Sequence, residues 1–90
     1  MARERLLANA NMITPDAARI VSYTETGVHY EGPEQMPSAI VRYEAELEYT
    51  ADTYFNVDHK AGDHEKVYGE IEYLYEDGAW RLLTMDINPR

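Results

Sequence analysis

KVYGEIEYLYEDGAWRLLTMDI, Lys66 to Ile87, is the stretch on which the fold turns. Two runs rich in aromatic and aliphatic residues flank Asp77-Gly78. A two-residue loop of that type supplies the φ > 0 conformations that a type I′ turn requires. With that loop, Glu76 faces Ala79, Tyr75 faces Trp80, Tyr73 faces Leu82 and Ile71 faces Thr84. Large aromatic pairs directly across from each other stabilise an antiparallel ladder, so the segment predicts a hairpin. It speaks to the fold and leaves the activity open.

Side-chain parity sorts this hairpin into two faces. Val67, Ile71, Tyr73, Tyr75, Trp80 and Leu82 share one, which we assign to the helix side. The other carries Tyr68, Glu70, Glu72, Leu74, Arg81, Leu83, Met85 and Ile87, a set too apolar for a purely solvated surface. Large apolar side chains beside charges predict an interface formed by Tyr68, Leu74, Arg81, Leu83, Met85 and Ile87, with Arg81 pairing Glu72 across the strands. The competing reading has Leu83 and Ile87 covered by the N-terminal helix or by loops.

Upstream lies the cleanest periodicity in the chain. Ala39, Val41, Tyr43, Ala45, Leu47 and Tyr49 alternate with Ile40, Arg42, Glu44, Glu46, Glu48 and Thr50, which predicts a strand with one buried and one charged face. Glu44, Glu46 and Glu48, with Glu70 and Glu72 of the neighbouring strand, form an acidic face. That face either blunts an exposed sheet by solvation or docks a cationic partner, even as a mimic of a nucleic-acid backbone. Thr53 to Asp58 is also β-like. A straight run from Ala39 to His59 would reach roughly 65 Å at about 3.3 Å per residue, so the chain must bend near Ala51-Asp52. Lys60-Ala61-Gly62-Asp63 reads as a turn.

Asp58-His59-Lys60-Ala61-Gly62-Asp63-His64 gathers two histidines and two aspartates, residue types that ligate zinc. The spacing matches no established zinc motif, so the segment is read as a solvated turn and no metal is assigned.

At the start, Ala2 to Asn9 predicts a short helix with Leu6, Leu7 and Ala10 on its apolar stripe. Thr14-Pro15-Asp16 resembles a helix start, with a cap, a first-turn proline and an acid at the positive end of the dipole. It predicts a second helix over Pro15–Thr24. Val28 to Glu31 then reads as a short strand. Gly32 to Pro37 is a loop, because its two prolines interrupt helix and ladder alike.

Ninety residues are enough for a single domain, and the initial Met1 suggests a complete chain. No cysteine is present, which excludes disulfides and thiolate chemistry. No apolar run approaches the roughly 20 residues needed to span a bilayer, and the first ten residues lack the apolar core of a signal peptide. A cytoplasmic location is the expectation. The net charge is −9. Such a surface repels phosphate backbones and disfavours nucleic acid as a partner.

Helical segments at the start and strands afterwards predict an α+β class: N-terminal helices packed on a curved antiparallel sheet of four or so strands. The helical start, the GVHYEGP short strand, the alternating strand and the YLYEDGAWRLLTMDI hairpin together resemble the cystatin-like and nuclear transport factor 2-like superfamily over Val28–Ile87. That resemblance implies a homodimer formed through the sheet. For the superfamily's enzymes it also implies acid–base chemistry in a pocket lined here by Tyr43, Tyr49, Tyr73, Tyr75 and Trp80, with Asp86 nearby. No G-x-S-x-G, Gly-rich phosphate loop or H-E-x-x-H is present, so no catalytic residue and no cofactor is assigned. The leading expectation is a non-enzymatic module that binds itself or a basic protein through its sheet. A blocker of basic partners and a small-molecule binder or acid–base enzyme are the alternatives.

Overall fold

The computed structural model describes residues 1–90. Its elements run α1 (Ala2–Ala10), β1 (Ala18–Glu31), β2 (Ser38–Tyr49), β3 (Thr53–Phe55), β4 (Val57–His59), β5 (His64–Glu76), β6 (Ala79–Met85) and β7 (Asn88–Pro89). The class is α+β, dominated by antiparallel sheet. The main sheet has five strands in the order β1-β2-β5-β6 with β7 also on β5, and β3-β4 form a separate small ladder. No helix is long and apolar enough to cross a membrane.

α1 buries Ala2, Leu6 and Ala10, four residues apart and hence on one stripe. It stops at Asn11, whose side-chain amide donates to Leu7 O at 3.1 Å and to Ala18 O at 3.1 Å while its Oδ1 accepts from Ala18 N at 2.7 Å. One asparagine thereby caps the helix and fastens the start of β1 to it.

The second helix expected over Pro15–Thr24 is a strand instead. Asp16 has φ 60°, a left-handed conformation that turns the chain where a helix would have begun. From Ala18 onward the chain pairs with β2 as far as Glu31↔Ser38. Ile20, Val21 and Thr24 are β-branched, and cross-strand pairing outweighs the weak helical stripe that Ala17 and Ala18 suggest. The short strand read at Val28–Glu31 is the far end of this longer one. Val21 and Thr26 are extra residues relative to β2, and bulges of this kind twist a long edge strand away from flat edge-to-edge pairing.

β2 keeps the expected alternation. Ala39, Val41, Tyr43, Ala45, Leu47 and Tyr49 are buried and form the middle of the core. The expected bend falls at Thr50-Ala51, and the β-like stretch beyond it folds into the β3-β4 hairpin around Asn56, with φ 65°.

The C-terminal hairpin has Glu76↔Ala79, Tyr75↔Trp80 and Tyr73↔Leu82, around Asp77 and Gly78 at φ 52° and 79°. Beyond Leu82 the register shifts, so that Glu72 faces Thr84 and Ile71 faces Met85, not Thr84 as expected. Leu83 is the extra residue, and every side chain after it changes face. Met85 and Ile87, expected on the outer face, pack against the core instead. Opposite them, Gly69 leaves room for the Asp86 carbonyl, which would lie 2.2 Å from a Cβ there and which accepts the Tyr43 hydroxyl at 2.7 Å.

Candidate functional site: an uncovered aromatic groove

The molecule measures 46 × 22 × 18 Å. A nine-residue helix is only about 14 Å long at 1.5 Å per residue, so α1 covers part of the inner sheet face. Beyond Met1 the face is open. A groove of about 670 Å³ lies there, floored by Val28, Ala39, Val41 and Tyr73 and edged by Met1, Glu25, Tyr30 and Trp80. Met1, Val28 and Tyr30 are more than half exposed, at 61%, 55% and 65%, and Trp80 is 38% exposed.

Tyr30 belongs to β1 and Trp80 to β6, with two strands between them, a backbone separation of about 14 Å at ordinary strand spacing. Their ring centroids are nevertheless 6.3 Å apart. Both rings lean inward at the level of Ala39, the β2 residue opposite Tyr30, whose methyl leaves the space. Tyr75 meets Trp80 edge-on at 5.2 Å, the geometry that aromatic quadrupoles favour. An aromatic arch therefore closes one end of the groove, and the N-terminus of α1 stands at the other.

The expected pocket residues divide. Tyr73 and Trp80 line the groove and Tyr75 backs Trp80, whereas Tyr43 and Tyr49 are fully buried. Tyr43 stacks on Tyr23 at 5.8 Å, and burial pushes its hydroxyl up to about 12. Tyr49 donates to Glu65 Oε1 at 2.9 Å and stacks on His59 at 4.0 Å. His59 Nε2 donates to Phe55 O at 2.9 Å and lies 3.5 Å from Glu65 Oε2. Burial first, then the Glu65 hydrogen bond, holds the Tyr49 hydroxyl well above the usual tyrosine range. This network seats the β3-β4 hairpin on the main sheet. It also separates the two histidines of the Asp58–His64 turn, because His59 is buried against Tyr49 and His64 lies on the opposite face beside Glu46.

The outer face carries its own cations. Arg90 donates to Glu44 at 2.7 Å, and its guanidinium lies 5.4 Å from the centre of the Tyr68 ring. His64 reaches Glu46 at 2.8 Å and Glu48 at 3.2 Å, and Arg19 also bonds Glu48. Arg42 lies 3.6 Å from Glu70, and Lys66 sits across from Glu46. Among the expected interface residues, Leu83 is 54% exposed on its bulge, Tyr68 is exposed and Leu74 is half-buried. Arg81 approaches Glu76 at 4.0 Å, not Glu72.

Val28, Tyr30, Ala39 and Val41 were not among the residues the sequence singled out for a site. Val28 and Tyr30 do alternate in Gly27-Val28-His29-Tyr30, a signal for one strand face. Their place opposite Val41 and Ala39 follows only once Ala18–Glu31 is recognised as one strand. No family model, curated protein or solved structure matches this chain. The fold and site define an α+β domain with a single helix on an antiparallel sheet and an open apolar groove beside it.

Proposed function

We propose that the protein is a binding module whose groove receives an apolar segment of another polypeptide. The observation that carries this reading is the exposure of Val28, Tyr30 and Trp80 around one concave, uncovered stretch of sheet. Apolar side chains gathered in one place mark binding surfaces more often than the same residues scattered singly. The surface differs from the one the hairpin's parity suggested. Of the expected apolar anchors on the outer face only Leu83 and Tyr68 are exposed, Tyr68 already lies under the Arg90 guanidinium, and Glu44, Glu46, Glu48 and Glu70 have Arg90, Lys66, Arg19 and Arg42 of their own chain beside or across from them. That pairing also weakens the idea of an acidic decoy built on Glu44, Glu46 and Glu48. The cystatin-like arrangement, a sheet curled around its helix, belongs to the same proposal and is supported by the approach of Tyr30 to Trp80.

Trp80 is the only tryptophan, so its fluorescence reports on the groove directly. Partners captured from the native cell should shift its emission, and Tyr30→Ser, a change at an exposed position, should reduce capture at unchanged melting temperature. Capture that survives Tyr30→Ser undiminished would sink the reading. A second reading rests on volume: about 670 Å³ lies within the range of small-ligand sites. It predicts that an apolar compound raises the melting temperature, since a ligand bound only by the folded state stabilises it.

A further inference from the structure

β1 forms one edge of the main sheet, and its last five residues, 27–31, differ from the rest of it. Val21 and Thr26 interrupt the pairing upstream, whereas Gly27 to Glu31 face Arg42 to Ser38 without a break, as far as the turn at Gly32 with φ 90°. All five are exposed, and their outer backbone edge has no partner strand in the chain. The bulges protect the upstream part of the edge, but a regular, uncovered stretch invites the addition of another strand. We infer that a second copy of the chain supplies that strand, with residues 27–31 of each copy pairing antiparallel across a two-fold axis at His29. This edge is free whatever the groove receives.

The stretch is complementary to itself on both faces. On the inner face Val28 meets the partner's Tyr30, a β-branched residue against an aromatic one, which stabilises an antiparallel ladder. Val28 is 55% and Tyr30 65% exposed, so both have apolar area left to bury. On the outer face Gly27 stands across from the partner's Glu31. A Cβ at Gly27 would meet nothing within 4 Å, and the missing side chain leaves a hollow of about 400 Å³ bordered by His29, Arg42 and Glu70. Arg42 is the β2 neighbour of Gly27, two strand spacings or about 10 Å from the partner's strand, within the combined reach of an arginine and a glutamate. Its contact with Glu70, 3.6 Å between side chains that are 75% and 53% exposed, is loose enough to exchange. Symmetry makes each of these contacts twice, and each copy adds its Tyr30 to the β1 rim of the other's groove.

Five residue pairs make a small interface and each copy carries a charge of −9, so the dimer is weak and needs salt to screen the repulsion. Sedimentation equilibrium of the full chain in about 0.15 M salt, at up to about 1 mM protein, should show monomer and dimer in exchange. Gly27→Glu sets a carboxylate against the partner's Glu31 and should weaken the dimer at least about tenfold, whereas Gly27→Lys should not weaken it. Both variants should melt no lower than the parent when dilute, because the monomer has room for either side chain. With no cysteine in the chain, the register can be read directly. His29→Cys, at a side chain 73% exposed, places two thiols across the axis with Cα atoms about 5 Å apart, within disulfide reach. Glutathione disulfide should link that variant into dimers much faster than Thr24→Cys, an exposed position upstream of the Thr26 bulge. A chain that stays monomeric at the highest concentration overturns the inference. Cross-linking no faster at position 29 than at position 24 overturns it too, as does an equal loss from both Gly27 variants.

Discussion

At the scale of single residues, the outer face is organised by His64, whose two ring nitrogens face different carboxylates. Nδ1 lies 2.8 Å from Glu46 and Nε2 3.2 Å from Glu48. Only the doubly protonated ring donates to both, so the Glu46 hydrogen bond first, and then the charge of Glu48, raise the His64 pKa above its ordinary value. A group whose pKa is raised on folding lends stability that is complete below the unfolded value, about 6.5, and that disappears as pH climbs through the folded value. Imidazole proton NMR should therefore show His64 titrating above about 6.5. Glu46→Gln should bring that midpoint down, and a titration that Glu46→Gln leaves unmoved would remove the contact from the account. None of this was visible in the chain, where His64 reads as one of two histidines in a polar turn. Cross-strand pairing with Glu48 gives it a role.

Among the elements, the two outer strands of the main sheet are where reading and structure part. β2 was legible to within a residue, because a strict alternation leaves one solution once one face is apolar. β1 was not. Its N-terminal half carries the signals of a helix start, and only its partner strand fixes it as β. In β6 the turn and the first pairs were legible from Asp77-Gly78, but the bulge at Leu83 has no signature in sequence, and it alone carries Met85 and Ile87 across to the core. The two residues on either side of Thr84 therefore answer differently to a charge. Met85→Asp should destabilise the fold by about 2 kcal/mol or more, the cost of placing an unpaired carboxylate where apolar atoms pack. Leu83→Lys, at a 54% exposed position, should change stability by no more than about 0.5 kcal/mol. Urea denaturation of both variants measures the difference, and equal costs would restore the unbulged register.

For the molecule as a whole, a short helix on a long sheet leaves one half of the inner face sealed and the other open, and the sealed half is held by tyrosines. Tyr43 and Tyr49 are buried in the core cluster that α1 also joins, and Tyr23 is partly covered beside Tyr43 with its hydroxyl donating to Glu25 at 2.8 Å. Loss of solvent is the first cause of the raised pKa at each of the three, and a neighbouring carboxylate adds to it. Their common effect has a definite sign. Each prefers its protonated form more strongly in the folded chain than in the unfolded one, where the value is near 10. The stability they lend is therefore intact below about pH 10 and drains away as pH rises towards about 12, the value that burial gives Tyr43. An acidic protein would already lose stability with pH through general charge repulsion, so the tyrosine contribution needs its own control. Tyr43→Phe keeps the ring, removes the titrating hydroxyl and gives up the bond to the Asp86 carbonyl. That variant should start less stable at neutral pH, by about 1 kcal/mol for the lost hydrogen bond, and then fall more gently than the parent through the alkaline window. Thermal melts across that window, read with tyrosinate absorbance, compare the two slopes. Parallel curves would mean that the Tyr43 hydroxyl is not held protonated by the core, and that the sealed half of the sheet is wetter than its packing implies.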